Sequence, residues 1–120
     1  MTVQPRRAHQ VVRFGEISLD FQKMELYLSD RPVPLTLKEF KVMKFFVTRP
    51  EFVVSRRQLI TAVWPKRKRA SHRTVDNHIA KLRQKIEKDP AHPVYLRTVY
   101  GVGYKFAPQG KNATLVARRD

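Results

Sequence analysis

Cysteine is absent from this 120-residue chain. That removes disulfides, thiolate metal sites and cysteine nucleophiles together, and it fits a reducing compartment. Acidic residues are scarce: ten Asp and Glu stand against 25 Lys and Arg, a formal net charge of +15. Such an imbalance says little about fold but narrows the partners to nucleic acid, an anionic membrane surface or an acidic protein. No apolar run approaches the roughly 20 residues of a membrane span. Residues 1–7 carry no apolar stretch behind their charges, so a secretory signal is not expected either. The expectation is a soluble, cytoplasmic protein. With 42% hydrophobic residues the chain can bury one core, and its length suits one domain.

Catalytic constellations are missing as well. His9, His72, His78 and His92 are scattered, and no pair has the spacing of a zinc site. Ser55 and Ser71 suit helix caps better than nucleophiles. Gly101 and Gly103 flank a single residue with no helix behind them, so they read as turn glycines of a hairpin and not as a phosphate cradle. No enzyme, metal or cofactor is expected.

What is present is a change of period along the chain. Residues 1–9 and 109–120 are polar and aperiodic, a linker and a flexible tail around a domain at 10–108. Val11, Val12 and Phe14 precede a turn at Gly15-Glu16, and Ile17, Leu19 and Phe21 then alternate with polar residues, as on half-buried strands. A third strand at 25–28, a turn at Ser29-Asp30-Arg31 and a short edge strand at 33–35 complete a small antiparallel sheet. Pro32 and Pro34 confine that last strand to an edge.

Helical spacing follows. Thr36-Leu37-Lys38-Glu39 is a capping box ahead of Leu37, Phe40, Met43 and Val47, closed by Pro50. Ser55-Arg56-Arg57-Gln58 opens a second helix with Leu59, Ile60, Val63 and Trp64 on one face, ended by Pro65. Trp64 on such a face reads as core, although its indole N–H can still reach a phosphate. Lys66, Arg67, Lys68 and Arg69 form an exposed loop. A third helix at 71–88 carries Val75, Ile79, Leu82 and Ile86 as one narrow stripe and stops at Asp89-Pro90. Runs at 95–99 and 104–107 form a hairpin around Tyr100, Gly101 and Gly103. The layout predicts an α+β winged helix-turn-helix: a four-stranded antiparallel sheet, three helices and a C-terminal β-hairpin wing.

The positive charge is concentrated in the helical part. Between Ser55 and Lys88 eleven Lys and Arg face two acidic residues, a surplus of nine that exceeds half of the total. The core stripe of the third helix leaves Arg73, Asn77, Lys81 and Lys85 on the opposite side, with Gln84 and Lys88 nearby. A helix with one apolar stripe and a cationic, amide-bearing outer face can lie in a DNA major groove. There Arg73 and Lys85 neutralise phosphates, while Asn77 and Lys81 reach base edges, Asn pairing with adenine and Lys with guanine.

Over residues 35–106 the chain resembles the winged-helix effector domain of bacterial two-component response regulators of the OmpR/PhoB type. The resemblance rests on Leu35-Thr36-Leu37-Lys38-Glu39-Phe40, Ser55-Arg56-Arg57-Gln58-Leu59, Val63-Trp64, Arg73-Thr74-Val75-Asp76-Asn77-His78-Ile79, Leu82-Arg83 and Arg97-Thr98-Val99-Tyr100-Gly101-Val102-Gly103-Tyr104. It implies phosphate contacts by Arg56, Trp64, Arg73, Thr74, His78 and Arg83, with Thr98 adding one from the wing, and base contacts by Asn77 and Lys81. It also implies that the loop at 65–70 meets RNA polymerase, and that head-to-tail pairs bind direct repeats of double-stranded DNA under control of a phosphorylated receiver domain. No phosphoacceptor aspartate in an acidic pocket is offered here, so the receiver is absent from these 120 residues. The chain reads as the output half of a longer protein or as a stand-alone version.

Two positions depart from the family pattern. Tyr100 stands where an arginine usually enters the minor groove from the wing, and a tyrosine lacks the charge that seeks a narrow, negative groove. Arg57 stands where an acidic residue is common, slightly against the helix dipole. The competing reading is a protein-binding winged helix that docks an acidic partner on the basic loop 66–69. Single-stranded RNA is disfavoured, because no paired aromatics mark a sheet face.

Overall fold

The structure, a computed structural model, describes residues 10–66 and 70–110. The expected linker at 1–9, the tail from 111 onward, and Arg67, Lys68 and Arg69 of the basic loop lie outside the described residues.

Strands β1 (Val11–Phe14), β2 (Ile17–Asp20), β3 (Glu25–Leu28) and β4 (Arg31–Val33) form an antiparallel meander in that order. Alternation turns Phe14, Ile17, Leu19 and Leu26 into the core. At the β1–β2 turn Gly15 takes φ +56, and the Tyr95 hydroxyl occupies the space a Cβ would need. The fourth strand begins two residues earlier than its predicted 33–35. Ser29 and Asp30 complete the turn in the left-handed region (φ +48 and +72), so Arg31 and Pro32 already pair with Leu28 and Tyr27. Pro34 has no N–H to extend the ladder.

All three helices start on capping boxes. Thr36 accepts from the Glu39 N–H at 3.1 Å and the Glu39 carboxylate accepts the Thr36 N–H at 2.9 Å, opening α1 (Leu37–Val47). Ser55 and Gln58 do the same for α2 (Arg56–Val63), and Ser71 with Thr74 for α3 (His72–Ile86). Helix α1 ends at Val47, ahead of Pro50, where the Thr48 hydroxyl donates to the Lys44 and Phe45 carbonyls.

Two features were not predicted. Val53–Ser55 is a strand, β5, too short to show a period. It pairs antiparallel with β7 (Gly103–Phe106), whose other neighbour is β6 (Leu96–Val99), so the wing is a three-stranded sheet and not a bare hairpin. The second is the end of α3, which stops at Ile86 instead of reaching Lys88. Glu87 leaves the helix with extended backbone (φ −92, ψ 144). Its buried carboxylate accepts the N–H groups of Val94 (2.8 Å), Tyr95 (3.0 Å) and Leu96 (2.8 Å). A buried carboxylate needs such partners, and these three N–H groups would otherwise be unsatisfied at the root of the wing.

Helices α1, α2 and α3 pack on one another, and α1 and α2 also on the wing sheet, around Phe46, Leu59, Val75, Ile79, Leu82, Leu96 and Phe106. Phe14 joins the sheets, meeting Tyr95 and Phe106 edge-on with centroids 5.0 and 4.8 Å apart.

The two wing glycines serve different ends. Gly101 holds φ +81 in open space, whereas a Cβ on Gly103 would strike the Val54 carbonyl and the Ser55 Cα of β5. Gly103→Ala should therefore cost about 1–3 kcal/mol by overpacking, while Gly101→Asn, which tolerates the left-handed region, stays close to neutral. Urea midpoints of the two variants check this, and a neutral Gly103→Ala would mean that β5 does not pack as described.

Candidate nucleic-acid interface

Helix α3 is two-sided. Val75, Ile79, Leu82 and Ile86 are buried, while Arg73, Asn77, Lys81, Gln84 and Lys88 form an exposed stripe along the other side. No carboxylate lies on that stripe: Asp76 sits at its flank and Glu87 is buried. No partner among the described residues holds Asn77 or Lys81, so both are available to a ligand.

Beside the stripe a polar cluster ties α2, α3 and the wing sheet together. Asp76 Oδ1 accepts from Arg56 Nε at 2.7 Å and from the Tyr104 hydroxyl at 2.6 Å. Arg83 donates through Nε and Nη2 to the Leu96 carbonyl (3.0 and 2.8 Å) and through Nη2 to Thr98 Oγ1 (2.9 Å). The Arg56 and Arg83 guanidinium carbons lie 5.6 and 5.5 Å from the Tyr104 ring centre, within cation–π range. Arg56, Arg83 and Thr98, three expected phosphate contacts, are thus gathered into one cluster.

The charges there are coupled. Burial disfavours ionised Asp76, but the hydrogen bonds from Arg56 and Tyr104 outweigh it and hold the carboxyl below its ordinary range. The same contact raises Arg56 further. Tyr104 is pushed up by burial and by donating to Asp76, so it remains a protonated donor.

A second cluster forms around Trp64. The His78 ring meets the indole edge-on, with centroids 5.1 Å apart, and His78 Nδ1 lies 2.9 Å from the Thr74 carbonyl. Trp64 is half-buried at the C-cap of α2, so it packs while its rim stays accessible.

Other predicted residues have structural partners. Thr74 bonds Ser71 in the cap of α3. Lys85 reaches past the stripe to Glu39 Oε1 (2.7 Å) and the Pro34 carbonyl (2.8 Å), tying α3 to the start of α1. Burial opposes ionisation of Glu39, yet Lys85 and the Thr36 cap together keep its carboxyl below the usual range. At the wing tip Tyr100 is 89% exposed and Val102 50%, and no charge lies between Val99 and Gly103. Lys66 is exposed at the edge of the basic loop.

Sequence reading missed the partners: Asp76, Tyr104 and Glu87 were not singled out. One signal was available, since Asp76 is the lone acid between Arg73 and Lys85 and was therefore a candidate to be paired.

Residues 30–106 match the family described as transcriptional regulatory protein, C terminal. The chain belongs to that family. Among curated relatives, the sensory transduction protein RegX3 of Mycolicibacterium smegmatis is 38% identical over 95 residues, covering 79% of this chain and 42% of its own. The response regulator DrrB of Thermotoga maritima, an OmpR/PhoB homologue, superposes with a TM-score of 0.76 at 33% identity, over 81% of this chain and 44% of that one. The RstA DNA-binding domain of Klebsiella pneumoniae, solved with the RstA box, gives 0.73 at 26% identity, over 84% of this chain and all of that one (100%). The winged-helix architecture of OmpR/PhoB domains is therefore that of this chain. It spans under half the length of the curated relatives it matches first.

The depressed carboxyls of Asp76 and Glu39 set a pH dependence. A group whose folded pKa lies below its unfolded value stabilises the fold above the unfolded value, near 4 for Asp and Glu, and loses that contribution as pH falls through the folded value. Thermal midpoints should therefore drop as pH is lowered below about 4. An Asp76→Asn, Glu39→Gln double variant, less stable at pH 7, should lose less over the same range. Parallel curves for the two proteins would contradict the assignment.

Proposed function

We propose that this winged helix is the sequence-specific, double-stranded DNA-binding output domain of a transcriptional response regulator of the bacterial cytoplasm. The observation that carries the reading is the exposed stripe of α3, long, amide-bearing and free of carboxylate, set opposite a fully buried stripe. In this reading α3 lies in the major groove, with Asn77 and Lys81 at base edges. Arg73 meets phosphate directly. Arg56 and Arg83 are held by the Asp76–Tyr104 cluster so that their remaining guanidinium N–H groups reach the backbone on either side. Trp64, Thr74 and His78 border the same groove wall, and Thr98 stands at the root of the wing. Lys85 has spent two donors on Glu39 and Pro34, so one of its three N–H groups is left for a phosphate.

Support from relatives is specific in kind, since the RstA domain was solved with its DNA box and AdeR's DNA-binding domain with an intercistronic region. By the same likeness the rest of a longer chain would hold a receiver, and direct repeats would be bound by head-to-tail pairs. The loop 66–69 would be the surface offered to RNA polymerase. Tyr100 makes the wing tip an uncharged contact, which leaves sequence reading mainly to α3.

Duplex affinity should fall steeply with salt, with a log–log slope of about −0.9 for each phosphate contacted. Asn77→Ala and Lys81→Ala should each cost about 1–3 kcal/mol on the true site and relax specificity there. Arg56→Ala and Arg73→Ala should weaken all duplexes about equally. Binding isotherms at several salt concentrations on specific and unrelated duplexes separate these outcomes. A flat salt response would favour a protein-binding module, and equal affinity for single strands would remove duplex reading.

A further inference from the structure

We infer that Lys38 of α1 belongs to the DNA-contacting surface, where it completes with Trp64 and His78 a site for one backbone phosphate; the inference rests on the duplex-binding reading above. Lys38 was read from sequence only as an inner position of a capping box. In the fold its ammonium sits 5.4 Å from the centre of the Trp64 ring, which the His78 ring of α3 also meets edge-on at 5.1 Å. Three helices thus bring a fixed cation, an indole and an imidazole to one corner, continuous with the exposed stripe of α3.

The ammonium is poised there and not spent. Its protein hydrogen bond is a single long one, 3.4 Å to the Val63 carbonyl at the C-terminal end of α2. That negative dipole end attracts a cation without neutralising it. Among the described residues no carboxylate pairs with Lys38, in contrast to Arg56, Lys85 and Lys105. His78 is set in a definite way as well. A carbonyl only accepts, so Nδ1, 2.9 Å from the Thr74 carbonyl, carries its hydrogen and leaves Nε2 as the ring's second polar atom. A tetrahedral anion with several acceptor oxygens suits a corner that offers an ammonium and an indole N–H, with the His78 ring held beside the indole as its wall.

Two further cations of α1 and its end face elsewhere. Lys44 lies over Phe21, at the meander sheet, and Arg49 over Phe45 while donating to the Phe45 carbonyl. Lys38 is the cation of that helix whose ammonium meets Trp64 and the end of α2, and the site has a boundary that can be tested.

The test is the salt dependence of duplex binding by Lys38→Ala, Lys38→Arg and Lys44→Ala proteins, with thermal midpoints measured alongside. Lys38→Ala should lower the magnitude of the log–log slope by about 0.9, the value for one phosphate, with the same proportional loss on specific and unrelated duplexes. Lys38→Arg should restore the slope, and Lys44→Ala should leave it unchanged. A Lys38→Ala protein with a lower thermal midpoint but an unchanged slope would show that the lysine only caps α2, which overturns the inference. An equal slope loss for Lys44→Ala would reveal a diffuse field instead of a site and overturn it too. A wild type with no salt-dependent duplex binding would overturn the duplex reading first, a result distinct from either.

Discussion

Leu96 offers its N–H to Glu87 and its carbonyl to Arg83, and both side chains come from the end of α3. Strand β6 of the wing is thereby fixed against the helix by a buried carboxylate on one side and a guanidinium on the other. Hydrogen bonds to charged groups contribute about 1.5–3 kcal/mol each when their partners are well placed, so this grip resists independent motion of wing and helix. Arg83 extends it to Thr98, and Tyr104 extends it through Asp76 to Arg56 on α2. A helix that is to read bases must be held in register against groups that meet the backbone. Here one connected set of charges does the holding.

That arrangement accounts for the placement of three of the ten acids. Asp76, Glu39 and Glu87 are each bonded to a cation or to backbone N–H groups, and two of the three are buried. None lies on the exposed stripe. The acids orient the interface while the net field of the α2–α3 surface stays positive. Desolvated carboxylates are costly alone, and their pairing makes the cationic partners rigid instead of merely numerous. Arg56 and Arg83 become preorganised forks, and Lys85 becomes a strut between α3 and α1.

Much of this was legible in the sequence, and the rest was not for physical reasons. The four strands of the meander and the three helices announce themselves through local period and caps, as at Thr36 and Ser55, where both capping boxes form as read. The outward stripe of α3 follows from the same periodicity. Strand β5 carries no such signal, because three residues cannot show an alternation and its pairing with β7 joins positions far apart in sequence. Glu87 looked like one more charge near a helix end. Its partners at 94–96 lie across a turn, and only the closed fold brings them within reach. Lys85 carries a second role that helical phase alone does not show: its position suits the outer face, and its long side chain bends back to Glu39 and the Pro34 carbonyl. The residues expected at the interface remain the proposal of Asn77, Lys81 and their backbone-contacting neighbours.

Selection of bound duplexes from a randomised pool, run in parallel with the wild type and with Lys81→Ala, tests the central claim most directly. If α3 reads bases from a frame fixed by Arg83, Glu87 and Asp76, the wild type selects a defined motif. The variant then keeps that motif except at one or two adjacent base pairs. The same motif from both proteins, or no motif from either, would contradict it.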